Sequence, residues 1–585
     1  MKGFRAVFVA WVVVLFGCGV VYVAAEDDGW GEWAEEAPTK RFVLTLQQGM
    51  RSIACMDSVV MVVNGTYIGP TLEVNEGDNV EVLVLNKMNN LGATIHFHGV
   101  KQKGTPWADG TAYVSQCPIP PLGRFTYRFN ADKAGTFWYH GHQLLSFASG
   151  YGAFIVHPKE KKFDYDEDAG VVHFGNQYMD SLQGIITGLK SNPFVFPGAP
   201  QALLANGKGI YNCTAFSECL TCTFGDSCRH EVMHMEPDTK YLLRLTNAGI
   251  LSFLTLGIQQ IPMKVVQTNT GSLKPFKTDF LDLGNGQSYS VIIKTPKKRG
   301  QYWLQAIMRF RESEGLIPAR VLLDTTKSRN YPKETPSVDG FPSNDDLQFS
   351  RKFMNKLKNK KTENLNPEYD QLWTIVSEET KYKNSIKWSL NNYTFQFPDT
   401  PALLANQYGV ELKRKVTVSE PPMPYDYLTP LAEQGLSEFA NLGLNVLTAE
   451  YGQRVRVVLQ NGLNFGGESE VHPFHMHGGD YWVLGRGQGI FNATKDMEKL
   501  NFKDPPMQST ALLLPSGWTV IEFLADNPGF WLFHCHIGVH SAMGMVLVIA
   551  VAPERIPEIP GNHHICGEVT VNKVLKHNNC RTQTI

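Results

Sequence analysis

EGDNVEVLVLN, from Glu76 to Asn86, is a turn followed by an alternating apolar run that stops at an asparagine. The phrase returns as EPDTKYLLRLTN, from Glu236 to Asn247, and as EYGQRVRVVLQN, from Glu450 to Asn461. Alternation with period two, bounded by Gly, Pro and Asp, is the pattern of a half-buried strand. A second phrase follows each copy: GTFWYH from Gly135, GQYWLQ from Gly300 and GFWLFH from Gly529. Each is preceded by a further alternating segment, FTYRF, YSVIIK and TVIEF in turn. Three paired matches in one order predict three homologous β-sandwich domains of about 150 residues each, an ordinary domain size. A chain of 585 residues is too long for one domain, and length alone allows three or four. The repeat selects three, expected at 40–160, 168–330 and 371–552. Residues 331–370, rich in Lys, Asn, Asp, Ser and Pro without β periodicity, read as a linker, and 553–585 as a C-terminal tail.

Hydrophobic residues make up 43% and charged residues 19%, a globular balance. Lys+Arg 54 against Asp+Glu 56 gives a net charge of -2, so no bulk basic field points to nucleic acid. Lys2 and Arg5 precede an apolar run from Ala6 to Ala25, which reads as a secretory signal peptide, 1–25, cut near Ala25. An uncleaved signal anchor is the competing reading, and it is the one membrane contact the sequence suggests. The polar C-terminus excludes a GPI tail. A secreted, extracellular location follows, in the apoplast or cell wall for a plant-type chain. Removing Cys18 with the signal leaves nine cysteines, an odd number, so at least one is unpaired or does chemistry. Cys213, Cys219, Cys222 and Cys228 crowd one segment and read as disulfide partners in an oxidising compartment. Sequons at Asn64, Asn212, Asn392 and Asn492 are candidate glycosylation sites.

The histidines carry the chemistry. Ten of 17 fall in four short clusters. The first repeat has His96 and His98 in HFHG and His140 and His142 in HGH. The third has His472, His475 and His477 in HPFHMH, then His534, His536 and His540 in HCHIGVHSAMGM. Where the second phrase carries His140 and His534, the middle repeat has Gln305, so that repeat has lost its share. Each cluster contains an H-x-H pair, and residues i and i+2 of a strand share a face. One pair is an ordinary core pattern, whereas four placed symmetrically converge on a metal cluster between domains one and three. Eight imidazoles without a carboxylate in any motif argue against magnesium and calcium, and they exceed one tetrahedral zinc. His472, Cys535 and His540 remain, followed by Met545. Two His, a thiolate and a weak axial thioether make a blue-copper electron-transfer site. This use of Cys535 leaves eight cysteines for disulfides. His534 and His536 flank Cys535 and point to the opposite strand face, which gives an electron a covalent path from Cys535 into two cluster ligands.

These motifs resemble the three-domain multicopper oxidases, the family of laccases, ascorbate oxidases and ferroxidases, over nearly the whole mature chain. The resemblance implies an all-β fold of three consecutive cupredoxin-like (plastocyanin-like) Greek-key sandwiches holding four coppers per chain. By motif position, His96 and His475 would bind a type-2 copper, and His98, His140, His142, His477, His534 and His536 a type-3 pair. His472, Cys535 and His540 would bind type-1 copper, with Met545 axial. The family couples four one-electron oxidations of a small-molecule reductant to reduction of O2 to two waters, as a monomer or homodimer. The chain is most similar to the ascorbate oxidase branch through GTPWADGTAYVSQCPI (Gly104–Ile119), FWYHGH (Phe137–His142), HPFHMHGGDYWVLGRGQG (His472–Gly489) and IKWSLNN (Ile386–Asn392). In that branch Trp388 matches a tryptophan of the reductant pocket, and Asp109 an acid beside the cluster that assists proton transfer. Bridges Cys117–Cys566 and Cys55–Cys228 are implied, with Cys213 pairing locally.

Three positions depart from the family pattern. A DWWH-like segment is replaced by Asn176, Gln177, Tyr178 and Met179, leaving Tyr178 as the second pocket aromatic. Gly538 follows HCHI where the family carries Glu or Asp, thought to relay protons. After His142, QLLSFASGYG lacks a Gln-Arg pair and is one residue short. The expected activity is oxidation of L-ascorbate. The alternatives are a laccase acting on phenols or aromatic amines, a ferroxidase, for which the sequence places no carboxylate near His472 and His540, and a copper-free structural cell-wall protein.

Overall fold

The structure, a computed structural model, describes residues 37–574 apart from 144–145, 214–221, 224, 327–337, 562 and 572. It also describes an antiparallel strand pair, Trp11–Phe16 with Gly19–Ala24. The cleavage site expected near Ala25, the start of the 331–370 segment, Cys219 and Cys580 lie outside the described residues.

The repeated phrases form equivalent strands in three sandwiches. Asn79–Asn86 pairs antiparallel with Arg124–Asn130 and parallel with Thr39–Ile53. Lys240–Asn247 does the same with Ser288–Lys294 and Glu167–Gln177. Arg454–Asn461 does so with Gly517–Leu524 and Gln371–Tyr382. The second phrases build the facing sheets: Gly135–Gly141, Gln301–Arg309 and Gly529–Cys535 each lie between two antiparallel neighbours. Between the paired sheets sit the alternating apolar side chains, such as Val80, Val82 and Val84 in the first sandwich, all fully buried.

The terminal asparagine of each phrase has a physical reason. Asn86, Asn247 and Asn461 are fully buried. Asn86 Nδ2 donates to Leu91 O and Ile119 O at 2.8 and 3.0 Å. Asn247 donates to Ser252 O and Leu283 O at 2.7 and 3.0 Å, and Asn461 to Glu470 O and Leu514 O at 2.6 and 3.0 Å. One amide thus ties two loops at the end of each sandwich, satisfying carbonyls that burial removes from water.

Domain junctions are covalent as well as packed. Cys117 is bridged to Cys566, 449 residues away, tying the C-terminal tail to the first domain. Cys55–Cys228 joins the first domain to the second, and Cys213–Cys222 closes a local loop. Within 331–370 the structure contains a helix, Leu347–Lys356, whose first turn is capped by Asp346 accepting from Phe349 N at 2.8 Å. Its Phe353 and Met354 enter the core of the middle sandwich. Flanking Lys, Asn and Asp residues mask this short apolar face in the composition. No helix among the described residues is long and apolar enough to cross a membrane.

Candidate metal centre

Cys535 ends the strand Gly529–Cys535, opposite Phe474 of His472–Met476. The chain then turns into the short helix Gly538–Met543, which carries His540. The turn brings His540 Nδ1 to 3.2 Å from His472 Nδ1, with Cys535 Sγ 3.8 and 3.9 Å from the two nitrogens. These separations define a point about 2.1 Å from each donor atom, within the roughly 2.0–2.3 Å that imidazole and thiolate keep from a first-row divalent ion such as zinc. Met545 is fully buried, and its backbone is held to both sides of the triad: Cys535 N donates to Met545 O and Met545 N to His540 O, each at 3.1 Å.

The other eight clustered histidines meet between the first and third domains. His96, His98 and His140 form one group of potential ligands, His96, His475 and His477 a second, and His142, His477 and His534 a third, with ligand atoms in each group within 4.8 Å of one another. His536 completes the set, its ring centre 4.9 Å from that of His98 and 5.6 Å from that of His140. Not every H-x-H pair lies within a strand: His142, His477 and His536 stand just beyond the strand ends, where the backbone leaves the sheet. His472 and His475, three apart on one strand, project to opposite sides and so serve the two sites separately.

Outer hydrogen bonds orient the rings. His96 Nδ1 donates to Asp109 O at 2.7 Å, His475 Nδ1 to Ser509 O at 2.8 Å, His534 Nδ1 to Cys535 O at 2.9 Å and His140 Nδ1 to Gly141 O at 3.0 Å. His477 Nδ1 donates to the Asp109 carboxylate at 3.0 Å. A carbonyl or carboxylate on Nδ1 fixes the tautomer and leaves the Nε2 lone pair for a metal. The inward nitrogens then face one another, His475 Nε2 with His96 Nε2 at 3.5 Å and His477 Nε2 with His534 Nε2 at 3.3 Å. Burial, reinforced by the neighbouring imidazoles, holds His98, His142, His475 and His477 well below the ordinary imidazole range, and burial brings His534 down to about 4. These five rings are therefore neutral donors at pH 7. Buried neutral lone pairs pointed at each other repel unless a cation lies between them, so the donor set fits a metal cluster. His98 Nδ1, buried without a hydrogen-bond partner, fits the same reading.

Around these rings are residues that the motifs did not single out. Thr510 Oγ1 lies 3.1 Å from His98 Nε2 and 3.2 Å from His475 Nδ1, and Thr111 Oγ1 donates to Asp109 Oδ2 at 2.6 Å. Thr510 lies outside every quoted motif, and Thr111 lies within the Gly104–Ile119 stretch without being singled out there. Trp138, from the FWYHGH phrase, packs on His140 with ring centres 4.3 Å apart. Glu470, two residues before His472, was within reach of motif reading. Its Oε2 stands 3.5 Å from His540 Nε2 and 2.9 Å from the guanidinium of Arg311, so a carboxylate does lie beside His540. Burial opposes its charge, but His540 and Arg311 outweigh burial and hold Glu470 well below the usual carboxylate range. Trp388 is buried against both triad histidines, its ring centre 4.8 Å from that of His472 and 5.0 Å from that of His540. Tyr178 shares that apolar cluster, donates to Gly198 O at 3.2 Å and lines a cavity of about 160 Å³. In the middle sandwich, Gln305 instead accepts from Arg320 Nε at 2.9 Å.

A buried cysteine–imidazole triad joined through adjacent residues to an eight-histidine cluster defines a class. The stretches 45–161, 171–322 and 418–555 each match the multicopper oxidase family, and the chain belongs to it. Its three cupredoxin-like domains and its O2-dependent, copper-based oxidoreductase chemistry are those of the family. The chain is 34% identical over 536 residues to the L-ascorbate oxidase of Cucumis sativus, covering 89% of this chain and 90% of that one. It is 35% identical over 544 residues to the L-ascorbate oxidase of Brassica rapa subsp. pekinensis (90% and 94% covered) and 32% identical over 544 residues to Laccase-12 of Arabidopsis thaliana (88% and 91%). The laccase of Botrytis aclada shares the fold, with a TM-score of 0.72 at 24% identity over 95% of this chain and 96% of that one.

Proposed function

We propose that this chain is a secreted multicopper oxidase that takes single electrons from a small organic reductant, L-ascorbate in the first instance, and passes them to O2. The reading assigns four coppers per chain. His472, Cys535, His540 and Met545 hold type-1, His96 and His475 type-2, and His98, His140, His142, His477, His534 and His536 the type-3 pair. Bound copper supplies one-electron acceptance at the triad and four-electron reduction of O2 at the histidine cluster. The protein supplies the wiring: Cys535 is bonded through one peptide unit on each side to His534 and His536, so transfer needs no jump through space. Asp109 fixes His477 and is the buried carboxylate placed to handle protons there.

The observation that carries the reductant assignment is the surround of His540. Trp388 packs on its ring, and the Arg311–Glu470 pair leads from its Nε2 toward solvent, the two side chains 24% and 22% exposed. A guanidinium at the entrance favours a monoanionic enediol, as ascorbate is at neutral pH, and Trp388 offers a flat apolar wall to a lactone ring. The ascorbate oxidases, at 34–35% identity, support this reading over laccases at 29–32%. The laccase relatives and the phenol-like Tyr178 keep phenol oxidation as the second reading. The three disulfides fit an oxidising compartment, and Asn64 and Asn492 are exposed sequons available for glycans. Oxygen consumption by the purified enzyme with ascorbate, a syringyl-type phenol and ferrous iron tests the proposal. A strong preference for the phenol or for iron overturns the ascorbate assignment, and absence of an intense blue band from copper-replete protein overturns the whole reading.

A further inference from the structure

Reducing one O2 to two waters consumes four protons, and Gly538 offers no carboxylate beside His536. Behind that glycine the middle domain presents a buried polar cluster. Gly538 N donates to Ile250 O at 2.9 Å, and Ile250 N donates to Asn176 Oδ1 at 2.7 Å. Asn285 Nδ2 donates to Gly249 O at 2.6 Å and Asn247 Nδ2 to Ser252 O at 2.7 Å. The packing is close: a methyl on Gly249 would stand 2.3 Å from Ser252 Oγ and 2.5 Å from Asn176 Oδ1. A methyl on Gly286, next to Asn285, would stand 2.7 Å from the His536 ring. The cluster therefore reaches from Asn176 to the face of a metal-ligand histidine.

Three polar atoms here have no hydrogen-bond partner among the described residues: Asn176 Nδ2, Ser252 Oγ and Asn285 Oδ1. Their residues are 4%, 0% and 0% exposed. Left dry, each such atom is destabilising, because burial strips it of water without supplying a partner. They are complementary, one donor, one hydroxyl and one acceptor, and water needs two to four such partners to be held in an interior. Asn176 also lines the cavity of about 160 Å³, together with Ser58, Ser149, Gln177 and the exposed Asp57. Polar groups thus run from the surface at Asp57, through the cavity and Asn176, to Ser252, Asn285 and His536.

We propose that this cluster is a water-bearing conduit that carries protons to the His536 side of the cluster and product water away, in place of the carboxylate absent at Gly538. It rests on the reading that O2 is reduced among the eight histidines. Per O2, four electrons arrive through Cys535, four protons enter and two waters leave. Asn176, Ser252 and Asn285 bind and orient the waters along which protons hop, and none of the three is itself consumed.

The test uses the copper-loaded enzyme with Ser252→Val, which puts a methyl where the hydroxyl stood, and Ser252→Thr, which keeps a hydroxyl. Ser252→Ala replaces the valine variant if that one does not fold. Reoxidation of reduced enzyme by O2 is followed at the blue band in H2O and D2O. The valine variant is expected to reoxidise roughly tenfold more slowly, less than the 10²–10⁴ of a positioned acid because Asp109 remains, with a larger solvent isotope effect. The threonine variant stays near the parent rate, and anaerobic reduction by ascorbate is unaltered in both. A high-resolution crystal structure gives a readout independent of turnover: water within hydrogen-bond distance of all three atoms in the parent, displaced in the valine variant. A dry cluster in the parent, or a valine variant with the parent rate and isotope effect, overturns the conduit. Failure of the enzyme to consume O2 with any reductant sinks the functional reading instead and leaves the crystallographic result standing.

Discussion

Replacing Asp109 with Asn tests how far the second layer of the histidine cluster sets its chemistry. Asp109 is fully buried, and its carboxylate accepts from Thr111 Oγ1 at 2.6 Å and from His477 Nδ1 at 3.0 Å, with His96 Nδ1 3.4 Å away. Asparagine keeps the shape but turns one acceptor oxygen into an NH2 donor. Both donors lie nearest Oδ2, and His477 Nδ1 is also 3.2 Å from Oδ1, so with the amide oxygen in the Oδ2 place the new NH2 stands against the N–H of His477, and with the amide reversed the NH2 replaces the oxygen that Thr111 donates to. Losing one hydrogen bond to a charged group costs about 1.5–3 kcal/mol, and loss of such a ligand-orienting partner typically lowers metal affinity or activity roughly 10- to 100-fold. Copper retention against a competing chelator measures the affinity loss, and O2 consumption at saturating copper measures the catalytic one. Asp109→Ala, which leaves His477 Nδ1 only the Thr111 hydroxyl at 3.2 Å, falls further than Asp109→Asn. An Asp109→Asn enzyme that keeps both copper affinity and kcat at parent values would refute the reasoning.

Other outcomes follow from the same geometry. Cys535→Ser is expected to remove the intense blue absorbance and the oxidation of reductant while the eight-histidine cluster still binds metal, so metal analysis should fall by one copper per chain. Trp388→Ala empties a buried site against His472 and His540; calorimetry should show a loss of about 3–5 kcal/mol, accompanied by a raised KM for ascorbate. His173 is buried with neither ring nitrogen hydrogen-bonded, and burial pushes it from 6.5 down to about 4. Between those values the unfolded chain binds a proton that the folded chain refuses, so stability present above pH 6.5 is lost as pH falls toward 4, by about 3 kcal/mol for this group; denaturant titrations of His173→Phe should show a shallower decline over that window. Cys566→Ser frees the C-terminal tail from the first domain, and the midpoint of thermal unfolding should drop in line with a loss of roughly 2–5 kcal/mol.

Much of this molecule is legible in one dimension because its chemistry is repeated and its ligands are adjacent. The thrice-written strand phrases required only period-two alternation to be recognised, and they pair as equivalent neighbours in all three sandwiches. Gln305 marked the middle repeat as the one without ligands, and it sits there against Arg320. The 331–370 segment was harder to read. Its helix spans only ten residues, and the apolar face of Phe353 and Met354 is short beside the surrounding charges.

What the sequence determined by itself was the candidate donor set: ten histidines, one cysteine and one thioether, in motifs whose spacing separates Cys535 from its flanking histidines by strand geometry alone. Tertiary structure decided which donors share a site. His96 and His475 are 379 residues apart yet place their nitrogens 3.5 Å from each other, because the first and third sandwiches pack against each other through a shared apolar cluster. It also supplied the unrepeated polar contacts: the seat on His477 of Asp109, which the resemblance had implied only to stand beside the cluster, Glu470 beside His540, Thr510 between His98 and His475, and the Asn176–Ser252–Asn285 cluster behind Gly538. Such contacts join residues with no fixed spacing, and their energy comes from burial and hydrogen-bond geometry, which only the folded chain creates.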